Sequence, residues 1–185
     1  MVKELDKISS GTKRTMDLFA AEYNEAKELK EELGRISNED VDKAIKDVNR
    51  ALRVLRWIGR AQWRASRSEK KLKHNIADLI KLLPPDQKNK LLKLLNQLEI
   101  ADAKLTRAAS MFTGDLRQEL LQIKTYEELR SKKGGSESER LTPKLKRLIS
   151  DAKEGVDEII TWIGSVEVIL KNIEQMETAL EKMVA

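Results

Sequence analysis

Regularly spaced arginines between residues 50 and 74 carry the clearest chemical signal in the sequence. The segment RALRVLRWIGRAQWRASRSEKKLKH contains nine of the 36 basic residues of the chain and a single acid, Glu69. Many of these basic residues follow one another at intervals of three or four, which places them on one face of an α-helix. We refer to this face as the basic ridge; it consists of Arg50, Arg53, Arg56, Arg60, Arg64, Arg67 and Lys71.

The ridge has the chemistry of a phosphate-binding surface. Guanidinium groups fit phosphate oxygens as two-pronged donors, and contacts with phosphates supply most of the sequence-independent affinity for nucleic acid. Trp57 lies near the edge of this helical face, where its ring can stack on an unpaired base. Trp63 is predicted to point nearer the core. We therefore predict that the ridge and Trp57 bind nucleic acid, either DNA or RNA, or another polyanion.

The positive charge of the chain is concentrated around the ridge. Residues 50–75 carry a net charge of +8, whereas the whole chain carries +5. Residues 76–134 carry +3, and residues 1–49 and 135–185 carry −3 each. A basic centre between acidic ends favours a surface that binds an anion.

An alternative interpretation is that the ridge arginines are neutralised within the protein. Charged faces of long helices are usually solvated or paired with neighbouring charges, and acids cluster on the first and last predicted helices. The protein would then be structural, or an adaptor that acts through helix–helix contacts with a protein partner. The candidate acids for such a network are Glu25, Glu28, Glu32, Glu154, Asp157 and Glu158.

A catalytic interpretation depends on two pairs of acids. Glu22 and Glu25, and after a gap Glu39 and Asp42, resemble the paired acidic motifs with which all-α nucleotide pyrophosphatases hold magnesium. Glu39 and Asp42, however, lie at a predicted helix start, where acids are expected because they face the positive end of the helix dipole. The magnesium-dependent pyrophosphatase is therefore a remote alternative.

Other catalytic and metal-binding patterns are missing from the sequence. The chain has one histidine, His74, and no cysteine, which excludes multi-histidine metal sites and disulfides. It has no glycine-rich phosphate loop, nucleophile elbow or zinc-ligand spacing. We therefore expect no enzymatic activity, no metal ion and no cofactor.

The composition favours long helices. Aromatic residues make up 4% of the 185 residues and charged residues 36%, and there are only eight glycines and three prolines. This bias is typical of all-α proteins, and the length suits one domain over residues 1–185. Abundant lysine, arginine and glutamate without cysteine would also suit a thermophile.

The spacing of apolar residues predicts helices at about residues 3–36, 39–83, 86–112, 115–131 and 143–184. A flexible loop is predicted at residues 131–142, around Gly134 and Gly135. Helix lengths of this kind predict an elongated antiparallel four-helix bundle with coiled-coil-like packing. Its third arm is predicted to be broken at Thr113-Gly114 into two helices.

The ridge lies on the second predicted helix, opposite a weak core face. This helix either continues to about residue 83 or breaks within residues 66–68, and we favour the continuous form. Large apolar residues are missing from its predicted core positions beside the ridge. Those positions are Gly59, Gln62, Ser66, Glu69 and Lys73.

The sequence gives no sign of membrane insertion. The N-terminal stretch MVKELDKISSGTK lacks the apolar core of a signal peptide, and no apolar run approaches the ~20 residues of a membrane span. We expect a cytoplasmic protein. Binding to a membrane surface is not expected, because the apolar residues of the second helix are needed for the core. The regular apolar repeat of the last helix is compatible with a homodimer.

Overall fold

The structure, a computed structural model, describes residues 1–37, 40–133 and 136–184. This part of the chain forms four long α-helices and contains no β-strand, so the predicted all-α bundle fold is confirmed. None of the described helices combines the length and the apolarity needed to cross a bilayer. The helices are α1 (Val2–Arg35), α2 (Val41–Ile80), α3 (Pro85–Lys133) and α4 (Ser136–Val184).

The third helix runs through Thr113 and Gly114, where the sequence predicts a boundary between two helices. The predicted division is therefore not observed. A glycine in a helix interior costs about 1 kcal/mol relative to alanine. Burial of one aliphatic side chain contributes about 1.5–3 kcal/mol, and Ala109, Leu116 and Leu120 are all buried around this point. Packing of the flanking turns thus outweighs the local preference of glycine.

The fourth helix begins earlier than predicted. It starts at Ser136 and includes Pro143, whereas the sequence predicts a loop up to residue 142. The beginning of that predicted loop belongs to α3, which extends to Lys133. Gly134 and Gly135, at its centre, lie outside the described residues. Ser136 is followed by glutamates, and a serine before acidic residues suits a helix start because acids favour the positive end of the dipole.

The chain is organised in two compact units, and every helix contributes to both. Unit 1 comprises Met1–Glu22, Arg60–Thr106 and Thr161–Ala185. Unit 2 comprises Tyr23–Gly59 and Arg107–Ile160. The single domain predicted from the sequence stays a prediction.

Unit 2 has an apolar core to which all four helices contribute. Its buried positions recur at the three-four spacing that the sequence shows. Burial of these aliphatic side chains is the main favourable contribution to the stability of the unit. The core residues are Ala26, Leu29, Leu33, Ile36, Ala44, Val48, Ala51, Val54, Leu55, Ile58, Leu116, Leu120, Ile123, Leu145, Ile149, Ala152 and Val156.

The interior of unit 1 includes polar side chains as well as apolar ones. Thr12, Thr15 and Glu22 of α1 are buried, and so is Glu69 of α2. The Thr15 hydroxyl oxygen lies 2.8 Å from the hydroxyl oxygen of Ser68, a hydrogen-bonding distance. Polar groups thus occupy interior positions in unit 1, where burial stabilises a polar side chain only if it finds a partner.

The second helix is continuous through residues 66–68, as predicted. Between residues 58 and 72 its only buried side chains are Ala65 and Glu69, so the predicted weak core face beside the ridge is confirmed. The predicted core position Glu69 is confirmed, but elsewhere in this stretch the buried face lies one residue earlier than predicted, at Ile58, Ala65 and Leu72. Alanine gives a weak apolar signal. The predicted core positions Gly59, Gln62, Ser66 and Lys73 are only half-buried.

Candidate nucleic-acid interface

All residues of the basic ridge lie on α2, and each has an exposed side chain. The opposite face of the helix packs into the core, which leaves the ridge to solvent. Three residues of the ridge belong to unit 2 and the others to unit 1. In chain order they are Arg50, Arg53 and Arg56, followed by Arg60, Arg64, Arg67 and Lys71.

No ridge residue forms an ion pair with a carboxylate of the described residues. Two of the acids predicted as its partners bind other cations: Glu32 pairs with Arg35 at 3.0 Å, and Asp157 pairs with Lys30 at 2.7 Å. The predicted network between the ridge and the acids of the first and last helices is therefore not observed in this part of the chain. The charge of the ridge is not neutralised by direct contacts there.

Both tryptophans of α2 are exposed. Trp57 is 41% exposed, as expected at the edge of the ridge, and Trp63 is 63% exposed. The prediction that Trp63 points nearer the core is wrong, because the buried face of the helix passes through Ala65 and Leu72. The guanidinium group of Arg67 lies 5.3 Å from the centroid of the Trp63 ring, which is a cation–π distance.

A groove between α1 and α2 borders the ridge within unit 1. Its volume is about 690 Å³, within the range typical of ligand sites. Leu18 and Leu72 supply apolar lining, Ser10 and Asn75 supply polar groups, and no acid of the described residues lines it. We refer to it as the α1–α2 groove. Its basic lining residues are Lys7, Arg14, Arg64, Arg67 and Lys71.

Sequence patterning alone does not single out the contribution of α1 to this groove. Lys7 and Arg14 are seven residues apart, which places them on the same side of the helix. Many charged pairs of α1 have helical spacing, however, and only the packing of α1 against α2 brings these two beside the ridge. No signal in the sequence distinguishes them from other exposed cations.

Unit 2 has a basic groove of its own, between α2 and α3. It has a volume of about 590 Å³, and Arg53 and Arg56 of the ridge line it together with Arg117 and Lys124 of α3. Apolar surface comes from leucines, of which Leu121 is 44% exposed. Among the described residues, its lining also contains no acid. Each unit therefore offers an anion a recess with several cations.

A cluster of carboxyl groups is buried inside unit 1. Glu22 of α1 and Glu69 of α2 are 0% and 1% exposed, respectively. Asp102 of α3 lies close enough to both to raise their pKa values by its charge. The Lys73 ammonium group donates a hydrogen bond to Asp102 Oδ2 at 3.2 Å. We refer to Glu22, Glu69 and Asp102 as the carboxyl cluster.

The carboxyl cluster holds protons at neutral pH. Burial, together with the charge of Asp102, raises the pKa of Glu22 from 4.5 to about 8. Burial, a hydrogen bond to Asp102 and its charge raise the pKa of Glu69 to about 9, against the opposing charge of Lys73. Neither oxygen of Glu69, nor Asp102 Oδ1, has a donor among the described residues. A proton on Glu69 allows it to donate to Asp102 and so provides both groups with a partner.

The acids of the described residues do not form a recognisable metal site. No group of three or more His, Cys, Asp or Glu side chains among them is placed to hold an ion. In the first acidic pair, Glu22 is protonated within the carboxyl cluster and Glu25 is half-buried. In the second pair, Asp42 is exposed at the start of α2. Glu39 lies outside the described residues. A metal ion that bound Glu22 would first have to displace this proton.

Comparison with known proteins assigns no family. No family model matches the chain, and neither a curated protein nor a solved structure is significantly similar to it. The charge and exposure of α2 and the grooves beside it are therefore the features of the chain that indicate a function.

Proposed function

We propose that this helical bundle is a non-catalytic nucleic-acid-binding protein whose contact surface is the basic ridge of α2. The observation that carries the proposal is the exposure of every ridge side chain without an ion-paired carboxylate among the described residues. Phosphates suit this surface because a guanidinium group binds a phosphate through two parallel charge-assisted hydrogen bonds.

A ridge of cations without acids destabilises α2 when no anion is bound. Like charges three or four residues apart destabilise a helix by about 0.2–0.5 kcal/mol per pair, whereas a glutamate in the same spacing would stabilise it. A helix that served only the bundle core would gain stability from acids mixed into its exposed face. An acid-free ridge is favourable when a polyanion binds, because contacts with the phosphates release condensed counterions.

The grooves support the same proposal. In unit 1, Lys7 and Arg14 extend the basic surface from α2 onto α1. In unit 2, Arg117 and Lys124 extend it from α2 onto α3. A polyanion can therefore meet cations from two helices in either unit, and this arrangement favours an extended backbone of phosphates over a single small anion.

The test is an affinity measurement as a function of salt. Binding of labelled DNA and RNA is followed by fluorescence anisotropy for the wild-type protein and for a double variant, Arg60→Glu with Arg64→Glu. The matched control reverses two exposed lysines of α4 in the same unit, Lys171→Glu with Lys182→Glu. Both variants change the net charge equally, so the comparison separates the ridge from general electrostatics.

We expect the affinity of the wild type to fall steeply with salt, by about 0.9 logarithmic units per decade for each contacted phosphate of a duplex and about 0.7 for a single strand. The ridge variant should bind more weakly with a slope that is shallower by about 1.4–1.8, the share of two contacts. The control variant should keep most of the affinity. Absence of binding by the wild type at low salt, or equal losses in both variants, would refute the proposal.

A further inference from the structure

The α1–α2 groove lies between two helices, and both of its walls carry cations. Lys7 and Arg14 lie on the wall formed by α1. They are two helical turns, or about 10 Å, apart. Arg64 and Lys71 have the same separation on the opposite wall, formed by α2. Leu18 of α1 and Leu72 of α2 add apolar surface to the lining. Such a groove suits a ligand that has negative charge along its length and an apolar, planar part.

Trp63 stands at this groove with 63% of its surface exposed. An exposed tryptophan leaves a large apolar ring in water, and its burial against a ligand is favourable. The guanidinium group of Arg67, 5.3 Å from the ring centroid, lies over the ring and is held there by cation–π attraction. A flat aromatic group and a phosphate-binding cation are therefore in contact at this groove.

A nucleobase is the planar ligand that fits beside phosphates, and it must be unpaired to use this ring. Bases in a duplex are stacked inside the helix and present only their edges in the grooves. A base of a single strand exposes its π-face, and stacking on aromatic side chains together with a cationic groove is how proteins bind single strands without sequence preference.

From this arrangement we infer that the α1–α2 groove binds single-stranded nucleic acid, with one unpaired base stacked on Trp63 and the adjoining phosphates held by the cations of both walls. The inference rests on the proposed function and specifies its substrate class. It adds Lys7 and Arg14 of α1 to the residues that contact the strand. Arg60, the remaining ridge cation of unit 1, supplies charge for a longer stretch of the same polymer.

The experiment compares two probes that carry equal numbers of phosphates, a labelled thymine oligonucleotide and a labelled blunt-ended duplex without unpaired bases. Each is titrated with the wild-type protein, with Trp63→Ala and with Trp63→Phe. The matched control is Val168→Ala, which removes an exposed apolar side chain of α4 in the same unit. Because Trp63 is exposed, the variants should fold normally, and circular dichroism and thermal melting verify this.

We expect Trp63→Ala to weaken binding of the single strand about five- to hundredfold, the range for loss of one base–aromatic stack. Binding of the duplex should change less than twofold. Trp63→Phe should recover part of the loss because it keeps an aromatic ring, and Val168→Ala should resemble the wild type with both probes. In addition, Lys7→Glu should weaken binding of the single strand.

Three outcomes would overturn the inference, and a fourth would overturn the proposed function. Equal binding of the single strand by the wild type and Trp63→Ala would exclude stacking. An equal loss for both probes would assign Trp63 a role without selectivity for unpaired bases. Competition by thymidine monophosphate at the affinity of the oligonucleotide would identify a mononucleotide site instead. If the wild type binds neither probe, nucleic-acid binding itself fails.

Discussion

The buried carboxyl cluster makes a prediction about stability that can be worked through from the structure. Glu69 has a pKa of about 9 in the folded protein and an ordinary pKa of 4.5 when exposed. Its folded-state pKa is thus raised above the unfolded value. The folded state keeps this proton up to about pH 9, whereas the unfolded chain releases it above pH 4.5. The stability that the proton contributes is therefore complete below pH 4.5 and is lost as the pH rises from 4.5 towards 9.

The substitution Glu69→Gln removes this titration while keeping the size of the side chain. Between about pH 5 and about pH 7 the folded wild type holds the Glu69 proton, whereas the unfolded chain has released it, so each pH unit lowers the free energy of unfolding by about 1.4 kcal/mol. Over two pH units the wild type therefore loses about 2.7 kcal/mol of unfolding free energy through Glu69. We expect that the variant does not show this loss.

The measurement is urea denaturation at several pH values, followed by far-ultraviolet circular dichroism. The quantity to compare is the pH dependence of the unfolding free energy, because a difference in slope does not depend on how well the amide fits its site. Glu31→Gln is the matched control, since Glu31 is an exposed glutamate of α1. It should leave the slope of the wild type unchanged.

Parallel curves for the wild type and Glu69→Gln would refute the reasoning, because they would mean that Glu69 is ionised in the folded protein at neutral pH. The same experiment on Glu22→Gln examines the second member of the cluster. Its pKa of about 8 limits the window to between pH 4.5 and pH 8. A slope change in one variant alone would show which carboxyl carries the proton.

Two further substitutions examine the fold. Gly114→Ala should stabilise the protein by about 0.5–1 kcal/mol, because an added Cβ meets nothing within 4 Å and alanine favours the helix. Thermal or urea unfolding measures the change, and a destabilised variant would mean that α3 is interrupted at Gly114. Lys73→Met should destabilise the protein by about 1–3 kcal/mol, because Asp102 loses its charge-assisted hydrogen bond to Lys73 in a half-buried site. Unchanged stability would mean that the pair does not persist in solution.

Much of the helical architecture can be predicted from the sequence. Apolar residues recur at helical spacing over long stretches, and few glycines or prolines interrupt them. Helix ends are less certain, because capping preferences amount to about 1 kcal/mol and packing overrides them. This is why α3 continues through Gly114.

The candidate interface could be predicted only in part. The ridge follows from its own spacing, because a helix with one apolar side must expose the other. The orientation of Trp63 could not be predicted correctly, since the core face of α2 depends on alanines such as Ala65 that carry little apolar signal. The contribution of Lys7 could not be predicted either, because it depends on which side of α1 meets α2.

The sequence by itself determined the fold class and the acid-free row of arginines along α2, because these are properties of local periodicity and composition. Tertiary structure decided the rest. It placed cations of α1 beside those of α2, exposed Trp63 at the groove, and brought Glu22, Glu69 and Asp102 together although they are far apart in the chain. Burial and proximity between separate helices are set by packing, and no single helical segment contains that information.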